Sequence, residues 1–138
     1  MQRPIVHFRR SLEILPPQAD IWHDLGYTYH LSGDYSEALK SDQHALECDP
    51  NRSGTYLDMG AIAFSRKEYD RAIGCFKTAV EIDSSNADAY GNLGAVLHQT
   101  GDVKNAIVNY KTALQLDPRL EYVRRNLELL STTSARTK

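Results

Sequence analysis

Four short polar side chains recur at a fixed interval: Asp24, Asp58, Asn92 and Asn126 stand 34 residues apart. Carboxylates and carboxamides held in such a row can hydrogen-bond successive stretches of an extended peptide main chain. Affinity then need not depend on the ligand's side chains. This is binding chemistry, and bond-breaking chemistry has no counterpart in the sequence. There is no G-x-S-x-G, P-loop, H-E-x-x-H or C-x-x-C pattern. Among the five histidines, His23 and His30 share a helix face, but about 10 Å of helix rise separates them. Ligands of one zinc ion each lie about 2 Å from it, so this pair does not chelate, and His30 and His98 lie farther apart still. They read as polar groove or surface residues. The two cysteines, Cys48 and Cys75, are too few for a disulfide framework and lack metal-motif spacing. They read as reduced thiols, in keeping with a cytoplasmic protein. Asn51-Arg52-Ser53 is formally a glycosylation acceptor, a triplet that arises often by chance. No enzyme activity, metal or cofactor is expected.

The bulk numbers agree with a binding module. The chain has 138 residues, 41% hydrophobic and 25% charged, with a net charge of -2. A nucleic-acid binder would carry a basic stripe, and none is visible. No apolar run is long enough to span a membrane, and residues 1–20 lack a secretory signal pattern.

The elements that must position the polar row are helices. Apolar residues fall at i, i+3 and i+4 almost throughout. The pattern breaks at Leu15-Pro16-Pro17, Ser32-Gly33-Asp34, Asp49-Pro50-Asn51, Ser65-Arg66-Lys67, Asp83-Ser84-Ser85 and Thr100-Gly101-Asp102. Each complete unit is therefore two helices and two short turns. The polar row itself sits inside W-H-D-L-G, Y-L-D-M-G, Y-G-N-L-G and a degraded R-R-N-L-E. A repeat of this period marks a stacked array in which each unit touches only its neighbours.

Residues 19–52 supply Trp22, Leu25, Gly26, Tyr29, Ala38, Ala45 and Pro50; residues 53–86 supply Tyr56, Met59, Gly60, Ala72, Phe76 and Ala79; residues 87–120 supply Tyr90, Leu93, Gly94, Ala106, Tyr110, Ala113 and Pro118. This pattern resembles the tetratricopeptide repeat (TPR) family. The resemblance implies an all-α fold, a right-handed α-solenoid of stacked antiparallel helix pairs, forming one TPR domain over residues 1–130. Glycines would let the second helix of a pair approach the first, with Ala38, Ala72 and Ala106 as the small partners, and large rings would fill the wedge between pairs. Asp34 with Glu37 resembles a capping box, and Pro50 and Pro118 should stop their helices.

Departures and ends carry information. Asp42 stands where unit 1 should have a ring. A buried unpaired carboxylate is costly, so Asp42 is expected to be partly exposed or paired, and the contact between units 1 and 2 to be locally weaker. Ser84 replaces the expected proline of unit 2. Residues 4–15 read as the second helix of a unit whose first helix is missing, and 121–130 as a capping helix whose Val123, Leu127 and Leu130 cover unit 3. Arg124, Glu128 and Ser131 on its other side are polar. Residues 131–138 are expected to form a disordered tail. These ends suggest the C-terminal part of a longer TPR protein, with a Met1 that need not be native.

In the family, first helices line a concave groove. The resemblance places Asp20, His23, Asp24, Tyr27, His30 and Leu31 there from unit 1. From unit 2 it places Gly54, Leu57, Asp58, Ala61, Phe64 and Ser65, and from unit 3 Asp88, Gly91, Asn92, Ala95, His98 and Gln99. The capping helix adds Tyr122, Arg125, Asn126 and Leu129. Asp24, Tyr27, Leu31, Leu57, Asp58, Ala61, Phe64, Asn92, His98, Arg125 and Asn126 are the candidate partner-binding residues. The row is similar to the asparagine ladder that holds peptide main chain in the TPR superhelix of O-linked N-acetylglucosamine transferase. The TPR class that clamps the carboxylate ends of heat-shock chaperones needs lysine, asparagine and basic residues where this chain has His23, Tyr27, Asp58, Asp88 and Asn92. Like charges would meet there. The expected function is a protein–protein interaction module, part of a scaffold or adaptor, for a basic or neutral peptide or helix and not for chaperone tails. Two alternatives stand beside it: a structural unit that assembles with itself through its open N-terminal end, and the substrate-recruiting region of a larger enzyme.

Overall fold

The computed structural model describes residues 18–136. Among them are seven helices and no strand: α1 Gln18–Leu31, α2 Tyr35–Cys48, α3 Ser53–Ser65, α4 Tyr69–Ile82, α5 Ala87–Gln99, α6 Val103–Leu116 and α7 Glu121–Arg136. The orphan helix expected at 4–15 lies outside the described residues. At the other end α7 continues to Arg136, beyond Leu130, where a disordered tail was expected to begin.

Two kinds of turn join the helices, and each repeats every 34 residues. The turns within pairs need a left-handed residue. Gly33 (φ 82°) and Gly101 (φ 94°) supply it freely, whereas Lys67 adopts φ 62° with a side chain attached. The turns between pairs start at Asp49, Asp83 and Asp117, all in extended conformation. Each aspartate accepts from the backbone N–H two residues on, at Asn51 (3.1 Å), Ser85 (3.0 Å) and Arg119 (3.1 Å). This Asx turn explains why Ser84 can stand in place of proline: the aspartate fixes the turn in all three units. At the start of α2, Asp34 accepts from the Glu37 N–H at 3.4 Å, but the Glu37 carboxylate pairs with Lys40. Only half of the expected capping box forms.

Helices pack tightly within a pair because one side lacks a side chain. A Cβ placed on Gly60 would lie 2.6 Å from the Phe76 ring, and one on Gly94 would lie 2.7 Å from the Tyr110 ring. Both rings are fully buried. Successive first helices also touch one another, α1 on α3 and α3 on α5, while the second helices make no comparable contact. The array therefore curls with its first helices on the inside. Val123 and Leu130 of α7 are buried against the last pair, with Leu127 packed beside them, so α7 closes the core.

The apolar core is in two parts. One runs from Ala63 through Phe76, Val96 and Tyr110 to Leu130. The other, around Trp22 and Ala45, belongs to the first pair alone. The division falls at Asp42, which occupies the place of Phe76 and Tyr110 in the first pair.

Candidate functional site

Three first helices meet at one pocket on the inner face. α1 contributes His23, Tyr27 and His30; α3 contributes Gly54, Leu57, Asp58 and Ala61; α5 contributes Asp88 and Asn92. The volume is about 280 Å³. Of the eleven candidate residues, the structure brings Tyr27, Leu57, Asp58, Ala61 and Asn92 together here. The remaining six lie elsewhere. Asp24 and Leu31 are exposed on α1, and Arg125 is exposed on α7. His98 is half-buried and outside the pocket. Phe64 turns toward the core and meets Tyr69 edge-on, with centroids 5.9 Å apart. Asn126 reaches toward the buried Tyr110 hydroxyl, whose ionisation burial pushes up.

The evenly spaced row thus has four different environments. Asp24 is solvated, Asp58 is buried at 5% exposure, Asn92 lines the pocket, and Asn126 faces an internal phenol.

Asp58 is the floor. His30 Nδ1 lies 2.5 Å from Asp58 Oδ1. On its other side the Asp58 carboxyl meets that of Asp42. Asp42 is fully buried, so of the two expectations, partial exposure or pairing, only the second applies, with another carboxyl facing it. Burial first, and then the Asp58 charge, push Asp42 well above the ordinary carboxylate range. Two carboxyls facing each other in so dry a site do not both ionise, and Asp42 keeps its proton. The short contact with the Asp58 oxygen is made with His30 Nδ1 as the donor. Sequence reasoning missed this arrangement, though a signal existed. Asp42 precedes Asp58 by the same 16 residues that separate Tyr110 from Asn126.

The walls are polar and apolar in turn. His23 Nδ1 is 3.4 Å from the hydroxyl of buried Thr55. Burial, helped by Arg52, lowers the His23 pKa, so this ring is neutral at pH 7. Arg52 itself is occupied by an ion pair with Asp20. Behind Asp88 stands Tyr122, whose phenol is pushed up by burial and then by the Asp88 charge. Tyr122 packs over Gly91, where an added Cβ would lie 2.5 Å from the phenol oxygen. Cys48 and Cys75 are both free thiols, away from the pocket. Among the described residues no cluster of three metal-ligating side chains occurs, and no helix is long and apolar enough to cross a membrane.

Family models match three stretches of the chain: a tetratricopeptide repeat at residues 7–40, a TPR repeat at 60–101 and a tetratricopeptide repeat at 87–120. The chain belongs to the tetratricopeptide repeat family. The last match coincides with the third unit read from the sequence. No curated protein sequence matches this TPR chain. Solved structures share its fold at low identity. MamA is 24% identical with a TM-score of 0.81, over 95% of this chain and 77% of that one. The first TPR of Spaghetti (RPAP3), bound to the HSP90 peptide SRMEEVD, is 23% identical with a TM-score of 0.80, over 85% and 93%. The Arabidopsis OM64 TPR domain is 17% identical with a TM-score of 0.79, over 83% and 95%.

Proposed function

We propose that this TPR array is a protein-interaction module, part of a scaffold or adaptor, that holds an extended segment or helix of a partner on its inner face. One observation carries the reading. Three successive first helices converge on a pocket where His23 and His30 of the first repeat, Asp58 of the second, and Asp88 and Asn92 of the third face the same space. Residues 19–52, 53–86 and 87–120 act as its three repeats, with α7 as the cap.

A basic or neutral segment fits this face better than an acidic tail. At the places where the chaperone-clamping class needs basic residues and amides, this chain presents His23, Tyr27, Asp58, Asp88 and Asn92, all in one pocket. A ligand carboxylate would meet two carboxylates there. The peptide-bound neighbour shows that this fold can hold such a tail, and the charges argue that this member does not.

The test is capture of partners from a lysate with the wild-type chain and with an Asp58→Asn/Asn92→Ala variant. The variant is expected to lose the captured partner while its thermal midpoint moves by only a few degrees. Retention of the same partner by a folded variant would count against the inner face as the binding surface.

A further inference from the structure

We propose that the pocket between α1, α3 and α5 takes one cationic side chain, a lysine or an arginine, from a segment bound on this face. The inference rests on the groove reading above and adds the chemistry of its anchor.

The first support is charge. Asp58 and Asp88 face the pocket, and no lysine or arginine lines it. His23 is neutral and Arg52 is occupied by Asp20; His30 donates one hydrogen to Asp58, and Asp88 is left with no basic neighbour in the lining. From the elements behind, α2 supplies Asp42 and α7 supplies Tyr122, and neither is a cation.

The second support is a shortage of donors. Asp58 is 5% exposed and lines the pocket. Its Oδ1 has His30, but its Oδ2 has no conventional partner among the described residues, and neither oxygen of Asp42 has one. The proton kept by Asp42 can serve one of these three oxygens and leaves the others without a donor. Buried carboxylate oxygens ordinarily find a donor. An ammonium or guanidinium entering from the groove brings N–H donors and positive charge together, which is what this floor lacks.

The third support is shape. At about 280 Å³ the pocket lies just below the size of ordinary small-ligand sites, so it suits one long side chain and not a helix. Leu57 and Ala61 offer apolar wall for an aliphatic stem, and the half-exposed Tyr27 ring offers a face for a cation.

The experiment is selection of random twelve-residue peptides displayed on phage against the whole chain, followed by fluorescence polarisation on the peptides enriched. Lysine or arginine is expected at one aligned place. Changing it to methionine should weaken binding about tenfold or more; the exposed Asp88→Asn should do the same with unchanged melting, and Asp58→Asn should do so while the chain stays folded. Peptides that lose binding on Asn92→Ala but are indifferent to their own basic residues would overturn the pocket and leave the groove reading standing. If no enriched peptide is sensitive to Asn92→Ala, both fall.

Discussion

His30 Nδ1 stands 2.5 Å from Asp58 Oδ1, so a histidine of the first repeat and a carboxylate of the second form one polar unit across the repeat junction. Beneath it lies Asp42, fully buried, in the place where the other two repeats have Phe76 and Tyr110. The junction between the first two repeats is therefore joined by polar groups where the next junction is filled by a ring. Stability, pH response and groove charge all depend on that substitution.

Stability should fall as pH rises. The folded chain holds a proton on Asp42 that the unfolded chain releases above about pH 4. The stabilising contribution is complete below that pH and is lost progressively on the way up through neutrality, by at most about 1.4 kcal/mol per pH unit. Urea unfolding of wild type and Asp42→Asn from pH 5 to pH 9 checks this. The variant should show the flatter profile and the greater stability at pH 8, because an amide donates to Asp58 without having a proton to lose.

Asp42→Tyr should rebuild the arrangement of the third repeat. Tyr110 lies against Gly94 and reaches toward Asn126; a ring at 42 would lie against Gly26 and reach Asp58. The new phenol can donate to Asp58 while the ring joins the two separate core clusters. A gain of about 2 kcal/mol at pH 7 is expected from the burial of the ring, read by chemical denaturation. A loss of stability would show that the carboxyl is better accommodated than its lack of donors implies.

Lys67 holds a left-handed conformation that glycine holds in the sister turns. A side chain there costs about 1 kcal/mol. Lys67→Gly should therefore stabilise the chain by about that amount, less the extra freedom glycine gives the unfolded state. The denaturant midpoint should rise with no change in slope.

Gly60→Ala should do the reverse. The added methyl would lie 2.6 Å from the Phe76 ring, which is fully buried and has no room to retreat. Overpacking of this kind costs about 2 kcal/mol. Gly74→Ala, where nothing lies within 4 Å, is the control and should not destabilise.

The helices and their turns were legible because a 34-residue period states the same instruction three times. Trp22, Gly60, Ala72 and Phe76 are each buried as the repeat pattern requires. The site was legible only in part. Equal spacing in sequence suggested that Asp24, Asp58, Asn92 and Asn126 would act alike, but the neighbours one turn away differ. Asp58 has Asp42 behind it and Asn126 has Tyr110, so one became a buried acceptor and the other an internal contact. Exposure and pairing were both left open for Asp42 for a physical reason: a buried carboxylate is costly, but a buried carboxylic acid is much less so. The choice between exposure and protonation depends on what lies opposite, which the 16-residue offset encodes and local pattern does not. The half-formed capping box at Asp34 and the longer α7 depend on single side-chain choices that periodicity does not reach.

The protonation state of Asp42 is the most direct test. Carbon-13 NMR of the aspartate side-chain carboxyls from pH 4 to pH 9, with Asp42→Asn to assign the signal, reads it without relying on stability. Asp42 should remain protonated at pH 7. An Asp42 signal that titrates near the ordinary carboxylate range of about 4 would contradict the buried acid and the donor-poor floor built on it.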